Sequence, residues 1–552
     1  MHHTRILLDP ILKPAPPVQR AVLGSYRLRT AWQYTSLDSD CRRFAPEQQK
    51  CLSPNPAIAS AQVEPSDNTP VLGTKDMYND SCVPSSTTVC NYQRSVACHS
   101  RLVMAPATAS ELLTAVSRAK ALGLRIRAIG RPHSDNGVWC DPHAMLIMMH
   151  KLNRIFGLDE GRSTVTVQAG TLVSDLNSFL HLRGLSLGAF YPAYSGLTVG
   201  GVLGTGAHGS SLTFPSALGT ALVAADVLDA QGAFKHYTLD QHPRIIAALG
   251  THMGALGVIV NATFKVVPEF KLRVKQTVHH QQMLLNGSLL QAFSQHDWVY
   301  VGWYQHAAQL VLRVGDIVPS TVPGNFRTDF LTPPLPKLFM PIFSDMNQYA
   351  VDHPQCACEL EVVSMLIEEQ SPPYVDGNNS HSADAVGFVH EMLASECETD
   401  QCPWENGLRV EETEIAVPFA RGQEALQWLS EHLLRSGICF PLQGVWLRGA
   451  KGDNSLLGMG AGNTDMLVIG LTTWRPSGDK PRYNESALEE ISHVLMTRFH
   501  GRPHWAKNLP STFSGGNWTP SFGDGMDQFF QVAKEMDPDS VFMNDFVRNL
   551  RR

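Results

Sequence analysis

The amino-acid sequence predicts an α+β protein with more than one domain, and three observations lead to this prediction. The chain has 552 residues, of which 43% are hydrophobic and 17% charged, so it has ample material for large cores. The segment Arg125–Ile129 alternates polar and apolar side chains and stops at Gly130, which is typical of a strand. A strand is also predicted for residues 163–170, and an amphipathic helix for the apolar spacing between Leu172 and Leu182.

The stretch from Gly196 to Gly209 holds six glycines in fourteen residues. Clustered glycines let backbone N–H groups approach a ligand closely, and such concavities suit phosphate oxygens. A flexible surface loop is the alternative interpretation, but a solvated linker does not need the apolar side chains of Leu197, Val199 and Leu203. No Gly-Lys-Ser/Thr follows, so the stretch is not a P-loop, and another kind of nucleotide cradle is predicted.

A second segment, about sixty residues upstream, carries the sequence Gly130-Arg131-Pro132-His133-Ser134 at the end of the predicted strand. Together the two segments resemble the FAD-linked oxidases of the vanillyl-alcohol oxidase (PCMH) type. In that family a strand ends in a Gly-x-x-His-Ser turn, and a glycine-rich segment ending in Gly-x-Gly-x-His-Gly follows. In many members the turn histidine is joined covalently to the flavin, so the resemblance implies His133 as the attachment point. A turn histidine that only caps backbone groups is the alternative.

The resemblance implies FAD as the cofactor and a fold of two parts. These are a two-subdomain PCMH-type FAD-binding domain over residues 92–270 and an α+β substrate domain with an antiparallel sheet over residues 271–552. The last residues of the chain are expected to return to the flavin. Residues 1–91 form a Pro- and Cys-containing arm that is expected to be irregular. The implied cofactor-binding residues are Gly130, Arg131, Pro132, His133, Ser134, Gly200, Gly201, Gly204, Thr205, Gly206, Ala207, His208, Gly209, Gly257 and Ile259.

Within this family the sequence is similar to the plant-type L-gulonolactone oxidases, which carry nearly the same Gly-Leu-Thr-Val-Gly-Gly and Gly-Thr-Gly-Ala-His-Gly-Ser-Ser runs. Two C-terminal segments strengthen the similarity. Residues 502–508 resemble the His-Trp-Gly-Lys segment of sugar-lactone oxidases, with Ala506 in place of glycine. Residues 529–544 resemble their terminal helix and Asp-Pro turn.

The predicted catalytic residues are Arg448, His504 and Lys507. Animal and bacterial relatives place a Glu-x-Arg pair where this chain has Trp446-Leu447-Arg448, so the arginine is retained and the paired carboxylate is not expected. Arg448 is assigned to a substrate oxygen, and Lys507 or His504 to the negative charge of the reduced flavin. A strand arginine with a solvated head and a solvated loop lysine are the alternatives.

The resemblance implies an FAD-dependent oxidoreductase that takes a hydride from a CH–OH group of a sugar-derived lactone. Oxygen or another acceptor would reoxidise the flavin. An enzyme acting on another polyol, sugar or non-carbohydrate alcohol stays open, because Trp446 suits stacking on a ring. A non-catalytic protein that keeps the flavin fold for binding also stays open.

Net charge and cysteine content bear on the expected partners, metals and cellular location of the protein. The net charge of −7 argues against a nucleic-acid partner, and no apolar run is long enough to cross a bilayer. The 11 cysteines include no Cys-x-x-Cys pair, so no metal is expected. Their placement around the predicted flavin domain is similar to that in plant-type relatives and points to disulfides. The cysteines and six Asn-x-Ser/Thr sequons favour a secreted or endomembrane location. Residues 1–10, however, have no apolar run typical of a signal peptide.

Overall fold

The computed structural model describes residues 85–92, 96–188, 196–325, 349–350, 352–370, 374–375, 381–382, 384–392, 410–440, 444–474, 484–508, 510–513 and 518–550. Most of the predicted N-terminal arm therefore lies outside the described residues. Among the described residues no helix is long and apolar enough to cross a membrane.

The N-terminal part of the described chain ends at Pro268. Its elements are β1 (Thr88–Cys90), β2 (Ala97–His99), β3 (Leu102–Met104), α1 (Ala109–Ala121), β4 (Arg125–Ile129), β5 (Ala144–Met148), β6 (Ile155–Asp159), β7 (Thr164–Gln168), α2 (Val173–His181), β8 (Leu185–Leu187), α3 (Val199–Thr205), β9 (Leu222–Leu228), β10 (Phe234–Thr238), α4 (Pro243–Leu249) and β11 (Val258–Pro268). The predicted strands at 125–129 and 163–170 and the predicted helix at 172–182 are confirmed as β4, β7 and α2.

Two sheets organise the N-terminal part. A parallel sheet has the order β3-β5-β4, and its central strand β5 buries all five of its side chains, as strands covered on both faces do. An antiparallel sheet has the order β10-β9-β11-β7-β6. The helix α1 connects β3 to β4, and the Thr108 side chain caps its start by accepting the N–H of Glu111 at 3.1 Å.

The glycine-rich stretch is not a loop throughout, because its residues Val199–Thr205 form the helix α3. The Thr198 side chain caps the start of α3 by accepting the N–H of Gly201 at 3.3 Å. At the other end Gly206 takes the left-handed conformation, with φ 63°, that ends many helices. The glycine-rich cradle predicted from the sequence therefore includes a short helix.

The C-terminal part begins at Phe270. Its elements are β12 (Phe270–His280), α5 (Gln282–Leu285), α6 (Ser288–Gln295), β13 (Trp298–Tyr304), β14 (Gln309–Pro319), α7 (Ala357–Gln370), β15 (Tyr374–Val375), β16 (His381–Ser382), β17 (Asp384–Phe388), α8 (Val389–Met392), β18 (Val410–Pro418), α9 (Gly422–Ser436), β19 (Val445–Ala450), β20 (Met466–Trp474), α10 (Glu485–Thr497), β21 (Arg502–Pro503), α11 (Gly525–Met536) and α12 (Asp545–Asn549). An eight-stranded antiparallel sheet dominates it, with the order β17-β12-β14-β13-β19-β20-β18-β21.

One buried arginine helps to hold the C-terminal end of the chain against the N-terminal part. Arg127 on β4 is 2% exposed, and its guanidinium donates to the carbonyls of Val138, Met253, Gly254 and Phe542 at 2.6–3.0 Å. Burial lowers the pKa of Arg127 to about 10, and the four carbonyls provide acceptors for the buried donors. This arginine thereby ties the end of the chain to the strand that leads into the predicted histidine turn.

Disulfides were expected and are present. Cys98 is bonded to Cys140, which follows the histidine turn, and Cys358 is bonded to Cys439 in the C-terminal part. Cys90 is also disulfide-bonded. These bonds constrain the chain on both sides of the predicted flavin turn.

Candidate active site

A large cleft opens between the N-terminal and C-terminal parts and encloses about 1750 Å³, its solvent-open mouth included. Its lining residues come from both parts, so a ligand bound in the cleft would contact both. Arg448, His504 and Lys507 line it, as do all of the predicted cofactor-binding residues except Gly206 and Gly209. The structure thus brings residues from distant segments of the chain to one site.

One side of the cleft, here called the glycine wall, consists of residues 130–134 and 199–208. Its two segments pack so closely that a Cβ on Gly130 would overlap the side chain of Thr198. The N–H of Gly200 donates to the carbonyl of Ala169 at 2.8 Å, which holds α3 against the sheet. The glycines therefore let the backbone itself form the wall, where a ligand can lie against it.

His133 stands on the glycine wall with an unprotonated imidazole. Its ring stacks on Tyr92 with a centroid distance of 4.6 Å, and Gly196 lies so close that a Cβ there would be 2.6 Å from Nε2. Burial, followed by the charge of Arg131, lowers the pKa of His133 to about 4. A neutral ring fixed between an aromatic ring and a glycine is available as a nucleophile at neutral pH.

The residues present fit a dinucleotide cofactor. Trp139 lines the cleft and is 6% exposed, and its indole N–H has no hydrogen-bond acceptor among the described residues. An unpaired buried donor is costly, and a ligand oxygen in the cleft would satisfy it. The glycine wall offers close backbone approach on the same cleft, so the chemistry of the lining suits FAD.

A second part of the cleft lining, here called the charged wall, consists of Glu412, Glu414, Arg448, His504 and Lys507. Glu414 on β18 pairs with Gly470 on the middle strand β20. Gly470 pairs on its other side with Trp446 on β19. Because Gly470 has no side chain, the Glu414 carboxylate reaches over the middle strand to β19. There its Oε2 accepts a hydrogen bond from the guanidinium of Arg448.

This geometry corrects the expectation that Arg448 has no paired carboxylate. The carboxylate is present, but it comes from β18 and not from position 446. Arg448 is 12% and Glu414 2% exposed at the side chain, so the pair is desolvated and the solvated-head alternative for Arg448 is wrong. The indole of Trp446 lines the cleft and lies 5.7 Å from the ring of Tyr300.

Lys507 is the second cation of the charged wall, and it pairs with both glutamates. Its ammonium contacts the carboxylate of Glu412 and lies 3.3 Å from Oε2 of Glu414. Two cations therefore face two carboxylates, and one oxygen of Glu414 serves both Arg448 and Lys507. The lysine is 22% exposed, so it is neither fully solvated nor fully buried.

His208 lies between the two walls, and each of its ring nitrogens faces an oxygen. Its Nδ1 lies 3.0 Å from the carbonyl of Gly209, and its Nε2 lies 3.0 Å from Oε1 of Glu414. Burial, followed by the charge of Arg448, lowers the pKa of His208 to about 3. The neutral imidazole carries one hydrogen, so it donates to only one of these two oxygens.

His504, a candidate cation beside Lys507 in the sequence, is buried in the structure. Burial, His208 and the two neighbouring cations hold the pKa of His504 well below its ordinary value, so the imidazole is neutral. Its Nδ1 accepts the N–H of Ala506 at 3.1 Å. The role of cation on this segment therefore falls to Lys507 alone.

Asn508 fixes the segment 504–508 against β18. Its side-chain oxygen accepts the N–H of Glu414 at 2.9 Å, and its amide donates to the carbonyl of Glu414 at 3.1 Å. The N–H of His504 donates to the same carbonyl at 3.0 Å. This pairing brings Lys507 next to the two glutamates.

Sequence reasoning missed the two glutamates. Glu412 and Glu414 occupy alternate positions of β18 and therefore share one face of the sheet. Two carboxylates at this spacing, in a strand that continues as Ile415-Ala416-Val417, are an available signal, because charges rarely share a buried face. Nothing in the local sequence indicates that Gly470 on another strand makes room for one of them.

The buried group His208, Glu414 and His504 also has a spacing that could hold a metal ion. Arg448 and Lys507 already supply positive charge to the same carboxylate. A metal cation beside these two cations would be repelled, so this group is a poor metal site.

The fold and the cleft together define a class, the FAD-linked oxidoreductases. A sequence profile described as an FAD binding domain matches residues 100–238. A second profile, described as D-arabinono-1,4-lactone oxidase, matches residues 262–550, which is more than half of the chain. The chain belongs to the D-arabinono-1,4-lactone oxidase family.

Relatives cover most of the chain. An L-gulonolactone oxidase of Scyliorhinus torazame is 26% identical over 466 residues, covering 83% of this chain and 96% of the relative. A probable L-gulonolactone oxidase 1 of Arabidopsis thaliana is 24% identical and covers 86% and 83%, respectively. A solved structure described as a solvent-stable cholesterol oxidase superposes with a TM-score of 0.66 at 18% identity, covering 84% of this chain and 97% of that one. At this identity the superposition shows the fold alone, and it confirms the predicted PCMH-type architecture.

Proposed function

We propose that this chain oxidises a CH–OH group of a sugar-derived lactone, of the kind named in its L-gulonolactone and D-arabinono-1,4-lactone oxidase relatives. The observation that carries the proposal is the charged wall, which places desolvated hydrogen-bond donors in the same cleft as the glycine wall. Bound FAD supplies the acceptor for the hydride, and oxygen or another acceptor takes the electrons onwards.

The residues of the charged wall have separate roles in this proposal. Arg448 donates directed hydrogen bonds to a lactone or hydroxyl oxygen, because a guanidinium has five donors and Glu414 occupies only part of them. Glu412 accepts the hydroxyl proton as the hydride leaves. It is 19% exposed at the side chain, so it can pass the proton to water. Lys507 compensates negative charge on the reduced cofactor.

The experiment is anaerobic mixing of the yellow protein with L-gulono-1,4-lactone, D-arabinono-1,4-lactone and a panel of alditols. We expect a lactone to bleach the flavin absorbance in one turnover. Arg448→Ala is expected to slow the bleaching or raise the KM for the lactone while the protein keeps its flavin. A protein that dithionite reduces but that no sugar, lactone or polyol bleaches would instead be a flavin-fold binding protein.

Trp446 favours a second candidate, an alcohol with a larger ring system. Its indole stands on the cleft wall beside Tyr300, where the relatives' glutamate is replaced by an apolar face. Bleaching by a non-carbohydrate carbinol, and not by either lactone, would select this candidate. Trp446→Ala should then weaken the binding of that carbinol more than it weakens the binding of a lactone.

We also propose that the flavin is attached covalently to His133. The neutral imidazole on the cleft wall supports this. Acid-precipitated protein should stay yellow, and a peptide containing His133 should carry the mass of the flavin. His252 provides a matched control because it lines the same cleft and burial also lowers its pKa to about 4. His133→Ala should release the flavin into acid, whereas His252→Ala should retain it in the pellet; complete release from the native protein contradicts attachment.

A further inference from the structure

A second polar cluster lies outside the cleft, where the N-terminal and C-terminal parts meet. It contains His181 at the end of α2, Glu269 between β11 and β12, and His390 on α8. None of these residues lines the cleft, and the proposed oxidation does not use them. The two histidines are 209 positions apart, so no spacing motif in the sequence indicates their convergence.

Two imidazole nitrogens are directed at one oxygen of the carboxylate. The Nδ1 of His181 lies 2.5 Å from Oε1 of Glu269, and the Nδ1 of His390 lies 3.8 Å from the same oxygen. A hydrogen bond explains the first distance but not the second. Two ligands of one tetrahedral zinc ion, each about 2.1 Å from it, lie about 3.4 Å apart. All three ligand atoms lie within 4.8 Å of one another, so one ion can reach them after small side-chain movements.

The backbone holds the three residues in place. The N–H of Glu269 donates to the carbonyl of Gly184, just after α2, at 2.8 Å. On the other side β12 pairs with β17, which leads into α8. The ring of Phe388 contacts that of His181 with a centroid distance of 4.7 Å and packs beside His390. The ligands are therefore preorganised by two sheets.

The surrounding charge favours a cation. The carboxylate of Glu391 interacts electrostatically with both His181 and Glu269. The nearby Lys271 is directed elsewhere, because its ammonium donates to the carbonyl of Val322 at 2.7 Å and lies over the ring of Phe388. His181 is 35% exposed, so an ion can enter and keep a water ligand.

We propose that His181, Glu269 and His390 bind one divalent transition-metal ion of the zinc class, which joins the two parts of the chain outside the flavin cleft. Imidazole and carboxylate ligands suit Zn²⁺, and three protein ligands leave a fourth position for water. The site differs from the group around Glu414, where two cations already hold the carboxylate.

The test uses the flavin-bound full chain after dialysis against a chelator. Co²⁺ is titrated at wavelengths beyond the flavin absorbance, and Zn²⁺ is titrated by calorimetry. We expect one equivalent of either ion, with tetrahedral Co²⁺ bands and an unchanged flavin spectrum. His390→Ala and Glu269→Gln should each weaken binding by more than the about 10–100-fold that loss of an outer-shell partner costs.

The control is His236→Ala, which removes one exposed histidine from a pair with Asp226 at 2.7 Å and should bind as the wild type does. Zn²⁺ should also raise the Tm of the wild type and not that of His390→Ala. The wild-type titrations decide the matter even if a variant does not fold, because no binding at micromolar Zn²⁺ overturns the proposal. Binding that survives His390→Ala, or that changes the flavin spectrum, places the ion elsewhere and overturns it equally.

Discussion

The glycine wall and the charged wall line one cleft, but they obtain their shapes differently. The glycine wall comes from two short segments, in which missing side chains let Gly130 pack on Thr198 and α3 pack on the sheet. The charged wall is assembled from β18, β19 and the segment 504–508, and its geometry depends on a glycine on the intervening strand. A local motif specifies the first wall, whereas only the tertiary fold specifies the second.

The two walls should therefore respond differently to mutation. In the charged wall, each removed group leaves a partner buried and unsatisfied, so the cost is electrostatic and depends on burial. In the glycine wall, each added atom meets backbone or a packed side chain, so the cost is steric.

The largest effect is expected for Glu414→Ala. This variant leaves Arg448 without its buried partner, and breaking such a pair costs about 3–5 kcal/mol of unfolding free energy. The matched control is Glu412→Ala on the same face of β18. Its ion pair with Lys507 is partly solvent-exposed, so the expected cost is about 1 kcal/mol or less. Urea denaturation of both variants measures the difference, and equal midpoints would show that burial does not separate the two carboxylates.

Glu361 is a buried carboxylate with no cation beside it among the described residues, so it shows the effect of burial alone on a carboxyl pKa. It is 1% exposed and accepts only the N–H groups of His306 and Phe440, at 2.8 and 2.7 Å. Burial raises its pKa from 4.5 to about 7. The folded state therefore holds this proton more tightly than the unfolded state, so the contribution to stability is complete below pH 4.5 and is lost as the pH rises through 7.

The expected loss across this window is about 3 kcal/mol. Glu361→Gln should remove this component of the pH dependence, as measured by urea midpoints at a series of pH values. Glu424→Gln on the exposed face of α9 should keep the wild-type slope in the same window. An identical slope in Glu361→Gln and the wild type would mean that Glu361 stays ionised, with the backbone N–H groups sufficient to hold its charge.

On the glycine wall, Gly206→Val should cost more than the same change at another helix end. Gly206 and Gly437 both end helices with φ near 65°, and a side chain in that conformation costs about 1–2 kcal/mol at either position. A Cβ on Gly206 would also lie 2.8 Å from the hydroxyl of Thr251, whereas nothing lies within 4 Å at Gly437. Overpacking adds about 1–3 kcal/mol at Gly206 alone.

Because Thr251 precedes His252 on the cleft wall, Gly206→Val should also lose flavin during gel filtration, while Gly437→Val should retain it. The physical reason differs from the one that the sequence suggests. Gly206 does not line the cleft, so the added side chain acts through Thr251 and not through direct contact with the cofactor. Equal flavin content in the two variants would show that packing at Gly206 does not affect flavin binding.

The sequence predicted the strand, turn and helix elements around the glycine wall because each is encoded by neighbouring residues. It also predicted that Arg448 lies on a strand and that Arg448 and Lys507 belong to one active site. It could not predict Glu414, because that carboxylate reaches Arg448 only through the register of three strands and the absence of a side chain at Gly470. It named His504 as a candidate cation beside Lys507, because no local pattern around this histidine reveals the burial that lowers its pKa.

The smallest expected effect concerns Lys507, which contributes a positive charge to a wall that is otherwise balanced. Lys507→Met leaves Glu412 and Glu414 with one cation fewer, so the anionic reduced flavin should become less stable. We expect the two-electron potential to fall by about 30 mV, which corresponds to about 1.4 kcal/mol. Lys451→Met is the matched control, because Lys451 pairs with Asp465 at 3.2 Å beyond the end of β19 and does not line the cleft. Redox titration of both variants measures the difference. An unchanged potential in Lys507→Met would mean that the two glutamates already screen this lysine from the flavin, and its role would then be to hold the glutamates in place.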